Sequence, residues 1–152
     1  MRRSFLVPLL LLVPLGGCVV SLVSFLVPAT VLGGSTFEVV VVGNQTAGNP
    51  GDQLGAVLQI PAAFTLLEAM TPTEPLGNPQ PVTVDDPPIL GLYAGDPGTV
   101  LHSFSGGVFG TSSPTVALRV RLQAPPGGGV FTLKVALAAT VGGAWQAQDP
   151  AG

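Results

Sequence analysis

The sequence predicts an all-β protein, an antiparallel β-sandwich of about seven strands that follows an N-terminal signal or anchor segment. After Leu32, short runs of alternating apolar residues are separated by Gly, Pro, Asn and Asp, which is the pattern of half-buried strands joined by turns. The chain also contains 21 Gly and 16 Pro, while only 9% of its residues are charged. Long amphipathic helices need a charged solvent face, so this composition favours strands.

Alternation predicts the individual strands in the first two thirds of the domain. Strands are expected over residues 36–42, 56–60, 64–69, 89–93 and 99–104. Residues 72–88 contain six prolines and must form a loop or an edge strand, because proline cannot donate a hydrogen bond to a central strand pair. Residues 95–98, Gly-Asp-Pro-Gly, have the composition of a turn.

The clearest alternation lies in the last third, over residues 115–122 and 130–138. The residues between them, 125–129, read Pro-Pro-Gly-Gly-Gly, and together the three segments predict an antiparallel hairpin. One face would be apolar and the other would carry all three basic residues that follow the signal. The inward residues are Val116, Leu118, Val120, Leu122, Phe131, Leu133, Val135 and Leu137, and the outward basic residues are Arg119, Arg121 and Lys134. Residues 142–152 are expected to be too short for a closing strand.

The first eighteen residues have the order of an export signal. Two arginines, Arg2 and Arg3, precede the apolar stretch 5–15, and small residues follow it. The segment ends at Cys18, the single cysteine of the chain, which cannot form an internal disulfide and therefore calls for another explanation. The rest of the chain is expected outside the cytoplasm.

Leu15, Gly16 and Gly17, followed by Cys18, resemble the lipobox of bacterial lipoproteins. The resemblance implies cleavage before Cys18, a diacylglycerol thioether and palmitate on that residue, and a cell-envelope location facing the periplasm or the exterior. The domains would then be a signal peptide (1–17), a lipidated or apolar anchor segment (18–27) and a β-sandwich (28–152). Two alternatives remain open: an ordinary cleaved signal, and an uncleaved apolar anchor, for which about 20 apolar residues suffice.

Three segments resemble bacterial extracellular immunoglobulin-like modules of the conserved-repeat and adhesion type. They are residues 28–44, with Pro before an alternating strand that ends in Asn; residues 58–64, a strand running into Pro-Ala-Ala-Phe; and residues 124–137, where Pro and Gly precede another alternating strand. This resemblance implies a structural or adhesive module without catalytic residues. It also places the first strand inside the apolar residues 19–32.

Charge narrows the range of partners. Without residues 1–17 the chain has three basic residues against eight acidic ones, a formal charge of −5. Nucleic acid is not an expected partner, because its binding rests on clustered Lys and Arg. The expected partners are the membrane, through the lipid on Cys18, and proteins of the envelope or cell surface.

The sequence predicts neither an enzyme nor a bound cofactor. A catalytic triad would require a nucleophile and an orienting acid beside His102, the only histidine, and the adjacent Ser103 points to the opposite face of the expected strand. Zinc needs three or four His, Cys or carboxylate ligands, and one His with one lipidated Cys is not expected to supply them.

An alternative hypothesis is a ligand-binding module at the cell surface for carbohydrate or calcium. Tyr93 and Trp145 are its candidate aromatic platforms. The candidate calcium ligands are the loop aspartates Asp85, Asp86 and Asp96, to which Asp52 and Asp149 could be added. The hypothesis requires these side chains to be exposed and clustered.

Overall fold

Two antiparallel sheets face each other across a shared apolar core. A computed structural model describes residues 20–45, 53–71, 82–105, 115–127, 129–141 and 143–151. These residues form nine strands and one helical turn. In chain order they are β1 (Val20–Leu26), β2 (Thr36–Gln45), β3 (Leu54–Pro61), β4 (Thr65–Met70), β5 (Thr83–Val84), α1 (Pro87–Leu90), β6 (Thr99–Ser105), β7 (Thr115–Gln123), β8 (Lys134–Val141) and β9 (Ala144–Ala151).

The strands divide into a four-stranded sheet A and a five-stranded sheet B. Sheet A has the order β1-β2-β7-β4, and sheet B has the order β5-β6-β3-β8-β9. All neighbouring pairs are antiparallel. The predicted antiparallel β-sandwich is confirmed. The described residues contain nine strands rather than seven, because alternation did not predict β1, the two-residue β5 or β9, and residues 89–93 do not form a strand.

The main core lies between the sheets, where the alternating residues of each strand meet. Sheet A contributes Val39 and Val41 from β2 and three residues of β7, and sheet B contributes residues of β3, β6 and β8. The largest side chains removed from solvent there are Phe104, Leu58, Ile60, Leu118, Leu122, Val39 and Val120. The predicted inward orientation of Leu118, Val120 and Leu122 is therefore confirmed.

A second, smaller core covers the outer face of sheet B. All residues from Leu54 to Ile60 in the central strand β3 are buried, because both faces of this strand are covered. The second core consists of Val57, Ala138 and Ile89, the last supplied by α1. Segment 86–95 thus forms a third layer over sheet B and leaves the outer face of sheet A uncovered.

The predicted hairpin between residues 115–122 and 130–138 is wrong. Both edges of β7 are occupied, by β2 on one side and β4 on the other, so β8 joins sheet B and pairs with β3 and β9. The chain between β7 and β8 crosses from one sheet to the other, and stacked sheets lie about 10 Å apart. Phe131 was expected to face inward from a strand, but it lies on this crossing and is 40% exposed.

Residues 89–93 do not form the expected strand. The chain instead makes the helical turn α1 from Pro87 to Leu90, with proline at its first positions. Proline suits the first turn of a helix, because its fixed φ matches and its missing N–H has no intrahelical partner there. The apolar run that suggested a strand buries Ile89 on the outer face of sheet B.

The last segment does close the sandwich. β9 pairs along β8, with a register irregularity between Ala136 and Ala138, and so forms one edge of sheet B. The expectation that residues 142–152 would be too short for a strand is wrong, because β9 begins at Ala144, shortly after β8 ends at Val141, and eight residues remain for pairing.

β1 lies within residues 19–32, where the immunoglobulin-like resemblance places the first strand. It pairs with β2 and approaches β8 and β9 along one side of the sandwich. Over the described ranges, no helix has the length and apolar character needed to cross a bilayer.

Candidate functional site

The expected lipidation and cleavage residues, Cys18, Leu15, Gly16 and Gly17, lie outside the described residues. The structure nevertheless fixes where the chain enters the fold, because β1 begins at Val20, two residues after Cys18. A strand rises about 3.3 Å per residue, so the seven residues of β1 separate its two ends by about 20 Å. The chain therefore enters the sandwich at the end where β1 begins.

A groove lined by uncharged residues occupies the other end of the sandwich. Its cavity volume is about 210 Å³, and it lies between the connection that follows β1 and the crossing from β7 to β8. The groove contains no charged residue, and its lining includes the prolines Pro28 and Pro125, Val130 and the phenylalanines Phe37, Phe64 and Phe131. We call this end of the molecule, residues 27–35 and 124–133, the apex.

Three aromatic rings form one wall of the groove. Phe64 stands edge-to-face to Phe37, with ring centroids 6.0 Å apart, and edge-to-face to Phe131 at 4.9 Å. These geometries are favourable for aromatic pairs. Within the apex, Val130 lines the groove and is fully exposed, and Leu32 is 78% exposed.

The apex was not predicted from the sequence. The one feature that could have indicated it is that residues 27–35 and 124–133 contain no charged side chain. That signal became meaningful only once the fold brought the two segments together, and the predicted hairpin had placed the second segment elsewhere.

His102 has an acidic partner, but not one that the sequence analysis considered. Its Nδ1 lies 3.0 Å from Oδ1 of Asp85, a residue that the sequence suggested only as a candidate calcium ligand. Asp85 follows the short strand β5 and has a positive φ of 60°, an uncommon conformation for a residue with a side chain. Over the described residues, the imidazole of His102 has hydrogen bonds to Asp85 alone.

Ser103 points away from His102, as the strand alternation predicted. Its hydroxyl is buried and donates to the main-chain oxygen of Asp86 at 3.1 Å. The Ser105 hydroxyl donates to the Asp86 carboxylate at 2.8 Å. Both serines therefore fasten the start of α1 to β6, and neither presents a hydroxyl to the imidazole of His102.

Asp96 holds the turn before β6 against sheet B. Its Oδ2 accepts a hydrogen bond from Gln59 Nε2 at 2.6 Å and another from Lys134 Nζ at 2.9 Å. The hydrogen bond from Lys134, then the one from Gln59, then the charge of Lys134 lower the pKa of this carboxyl below its usual value. Gly98, with a φ of 78°, completes the predicted turn.

The three candidate calcium ligands therefore have different partners: His102 for Asp85, Ser105 for Asp86, and Gln59 with Lys134 for Asp96. Within the described part of the chain, no group of three His, Cys, Asp or Glu side chains could hold a metal ion.

Tyr93 and Trp145 do come together. Both are partly buried and pack against the small core of Val57, Ile89 and Ala138. The Tyr93 hydroxyl donates to the main-chain oxygen of Leu137. Burial raises the pKa of Tyr93, and a hydrogen bond with the Gln148 backbone partly offsets that rise. Each ring thus contributes part of its surface to the packing of segment 86–95 on sheet B.

The comparisons with known proteins bear on the fold. No protein-family model matches the sequence, and no curated protein matches it. Among solved structures, the chain is similar to the cohesin module from Clostridium perfringens ATCC13124 family 33 glycoside hydrolase. The TM-score is 0.60 at 16% sequence identity, with 89% of this chain and 93% of that chain covered. At this identity the likeness concerns the β-sandwich fold alone.

A second solved structure, of AvmM, which catalyses macrocyclization in alchivemycin A biosynthesis, is less similar. Its TM-score is 0.44 at 17% identity, with 80% of this chain and 72% of that chain covered. A likeness of this size carries no argument about the present chain.

Proposed function

We propose that this protein is a non-enzymatic surface lipoprotein of the cell envelope, a structural or adhesive β-sandwich held to the membrane by lipid on Cys18. The observation that carries the proposal is the position of two features relative to β1. The strand begins two residues after Cys18, and the groove begins at Val27, directly after its last residue. An anchor and a contact surface at opposite ends of one strand suit a tethered module.

The start of β1 supports the anchoring half of the proposal. Only Val19 separates Cys18 from the strand, so a lipid on Cys18 would hold the sandwich directly against the bilayer. The apex would then lie about 20 Å farther from the surface and face away from the anchoring membrane. Envelope and surface proteins are the partners that such an orientation makes accessible.

The apex supports the adhesive half. Val130 and Leu32 expose apolar surface, and Val130 lines a groove of about 210 Å³ that has one aromatic wall. Apolar side chains fully exposed to water gain about 1.5–3 kcal/mol each when a partner covers them completely. The apex has no charged residue, so the partner surface that it favours is uncharged as well.

Metabolic labelling with an alkyne analogue of palmitate tests the anchoring. The wild-type protein should incorporate the label and remain in carbonate-washed membranes, whereas Cys18→Ala should lose the label. The matched control Ser24→Ala, in β1, should behave as wild type. Equal labelling of wild type and Cys18→Ala would contradict the proposal.

A separate experiment tests the apex. Purified envelope fragments should bind to a surface coated with wild-type protein, and Val130→Asp should reduce their retention about tenfold. Val84→Asp introduces the same charge at an apolar residue outside the apex and should leave retention unchanged. Equal retention by wild type and Val130→Asp would contradict a role for the apex in adhesion.

A further inference from the structure

The described chain leaves the outer face of sheet A uncovered. The opposite outer face, on sheet B, is covered by α1, Tyr93 and Trp145. On sheet A, Leu26 of β1 is 58% exposed. Val40 and Val42 of the neighbouring β2 and Met70 at the opposite edge, on β4, are partly exposed. The face therefore combines apolar residues with the two arginines of the described chain.

The register of the strands arranges these residues in rows across sheet A. One row reads Glu38 on β2, Arg121 on β7 and Glu68 on β4. The adjacent row reads Leu26 on β1, Val40 on β2, Arg119 on β7 and Met70 on β4. A third row pairs Val42 on β2 with Ala117 on β7.

The charges on this face are paired loosely within the chain. Arg119 Nε lies 3.5 Å from Glu38 Oε2, and Arg121 Nη2 lies 3.4 Å from Glu68 Oε2. Both distances exceed the ~2.7–2.9 Å typical of charge-assisted hydrogen bonds. All four side chains are between 39% and 51% exposed, and a guanidinium has five N–H donors. Each guanidinium group can therefore donate hydrogen bonds to a second carboxylate.

We infer that the outer face of sheet A binds the same face of a second copy of this chain. A two-fold axis parallel to the strands and midway between β2 and β7 places β2 opposite β7 of the second copy, and β1 opposite its β4. Glu38 then faces Arg121 of the second copy and Val42 faces Ala117. In the row between them, Leu26 faces Met70 and Val40 faces Arg119. Each contact occurs twice, as an isologous interface requires, and opposite charges meet at both contacts between Glu38 and Arg121.

The area of this face determines how strong the dimer is expected to be. Four strands ~4.8 Å apart and about seven residues long present a footprint of roughly 440 Å² per copy, less than the ~800 Å² per partner of a stable complex. The dimer should therefore be weak in dilute solution and stronger where two copies share a membrane, because tethering raises their effective concentration. The geometry of this dimer does not involve the apex, but its expected strength rests on the membrane tether of the proposed function. The amount of each chain in the membrane fraction, measured in the same samples, separates a failure of the tether from a failure of the dimer.

Cross-linking of the full chain in membranes tests the geometry. Differently tagged Leu26→Cys and Met70→Cys chains are co-expressed and treated with a bismaleimide that spans the ~10 Å between stacked sheets. The two-fold arrangement predicts a mixed dimer. Each variant expressed alone should give none beyond the wild-type level, because identical residues are about 17 Å apart in this arrangement. Wild type, with Cys18 as its single thiol, reports separately whether that thiol is free.

Charge exchange then tests the pairing. Glu38→Arg in both chains should reduce the mixed dimer about tenfold, because two guanidinium groups would then meet at each of these contacts. In a second pair of chains, Glu38→Arg is added to the Leu26→Cys chain and Arg121→Glu to the Met70→Cys chain. One of the two contacts then pairs opposite charges in exchanged positions, and the other keeps its original Glu38 and Arg121. This combination should restore the dimer. Absence of a mixed dimer in the first experiment, or failure of the exchanged pair to restore it, would overturn the inference.

Discussion

A Cβ atom on Gly55 would lie 2.8 Å from Cδ1 of Ile89. This close approach joins the centre of sheet B to α1, and it explains why the central strand has no side chain at that position. The main-chain oxygen of Phe104 would lie 3.1 Å away and a ring carbon of Trp145 3.2 Å away, so the added methyl group would be crowded by three neighbours.

Gly55→Ala should therefore destabilise the protein, because the added methyl group displaces Ile89 and with it α1. Overpacking of this kind costs about 1–3 kcal/mol. The free energy of unfolding, measured by urea denaturation, should fall by that amount. Gly127→Ala is the matched control, since a Cβ there meets nothing within 4 Å. An equal effect of both substitutions would refute the close-contact explanation.

Ile89→Ala should open the small core instead of crowding it. Ile89 is fully buried, and replacing a buried Ile by Ala costs about 2–5 kcal/mol. Trp145 is the only tryptophan and contacts this core, so its fluorescence should shift to longer wavelength as water reaches the ring. Val130→Ala, at a fully exposed residue, should change neither quantity. An unchanged spectrum in Ile89→Ala would show that Trp145 does not depend on this core.

The single tyrosine offers a direct titration. Because burial raises the pKa of Tyr93, its phenol should ionise above pH ~10 in the folded protein and near pH ~10 in the unfolded chain. A group with a raised folded pKa contributes stability below the unfolded pKa, and this contribution is lost as pH rises through the folded pKa. Absorbance of the phenolate near the red edge of the protein spectrum follows both states. Ionisation of the folded protein below the midpoint of the urea-unfolded chain would contradict the buried position.

Asp96 should contribute to acid sensitivity. Its folded pKa is lowered from 3.8, so its contribution to stability is present above pH 3.8 and is lost as pH falls below that value through the folded pKa. Asp96→Asn should be less stable than wild type at neutral pH, and the difference should shrink in acid below pH 3.8. Thermal midpoints measured from neutral to strongly acidic pH would show this, and a difference that is constant across that range would rule out the ionised carboxylate as its source.

The sequence predicted the fold class because alternation reports which face of a strand is buried. The strong alternation in residues 36–42 and 115–122 correctly identified β2 and β7. Alternation does not report which strand is the neighbour, and so the hairpin to residues 130–138 was wrong. The pairing partners of β7 are set by the whole sandwich, since β2 and β4 already occupy its two edges.

Local apolar runs were less informative where a third layer forms. Residues 89–93 are apolar because Ile89, Leu92 and Tyr93 pack on the outer face of sheet B, and a run of that length fits a strand equally well. The two prolines at the start of α1 were the available signal for a helical turn. The contact between Asp85 and His102 depends on the pairing of β5 with β6. Because β5 has only two residues, it is too short to show an alternating pattern, and the sequence did not predict this pairing.

The mass of the mature N-terminal peptide, isolated from membranes, is the most direct test of the lipid anchor. We predict a chain that begins at Cys18 and carries diacylglycerol, with or without a further acyl chain on its amino group. A chain that retains Met1, or one cut elsewhere with a free Cys18 thiol, would contradict a lipid anchor next to β1.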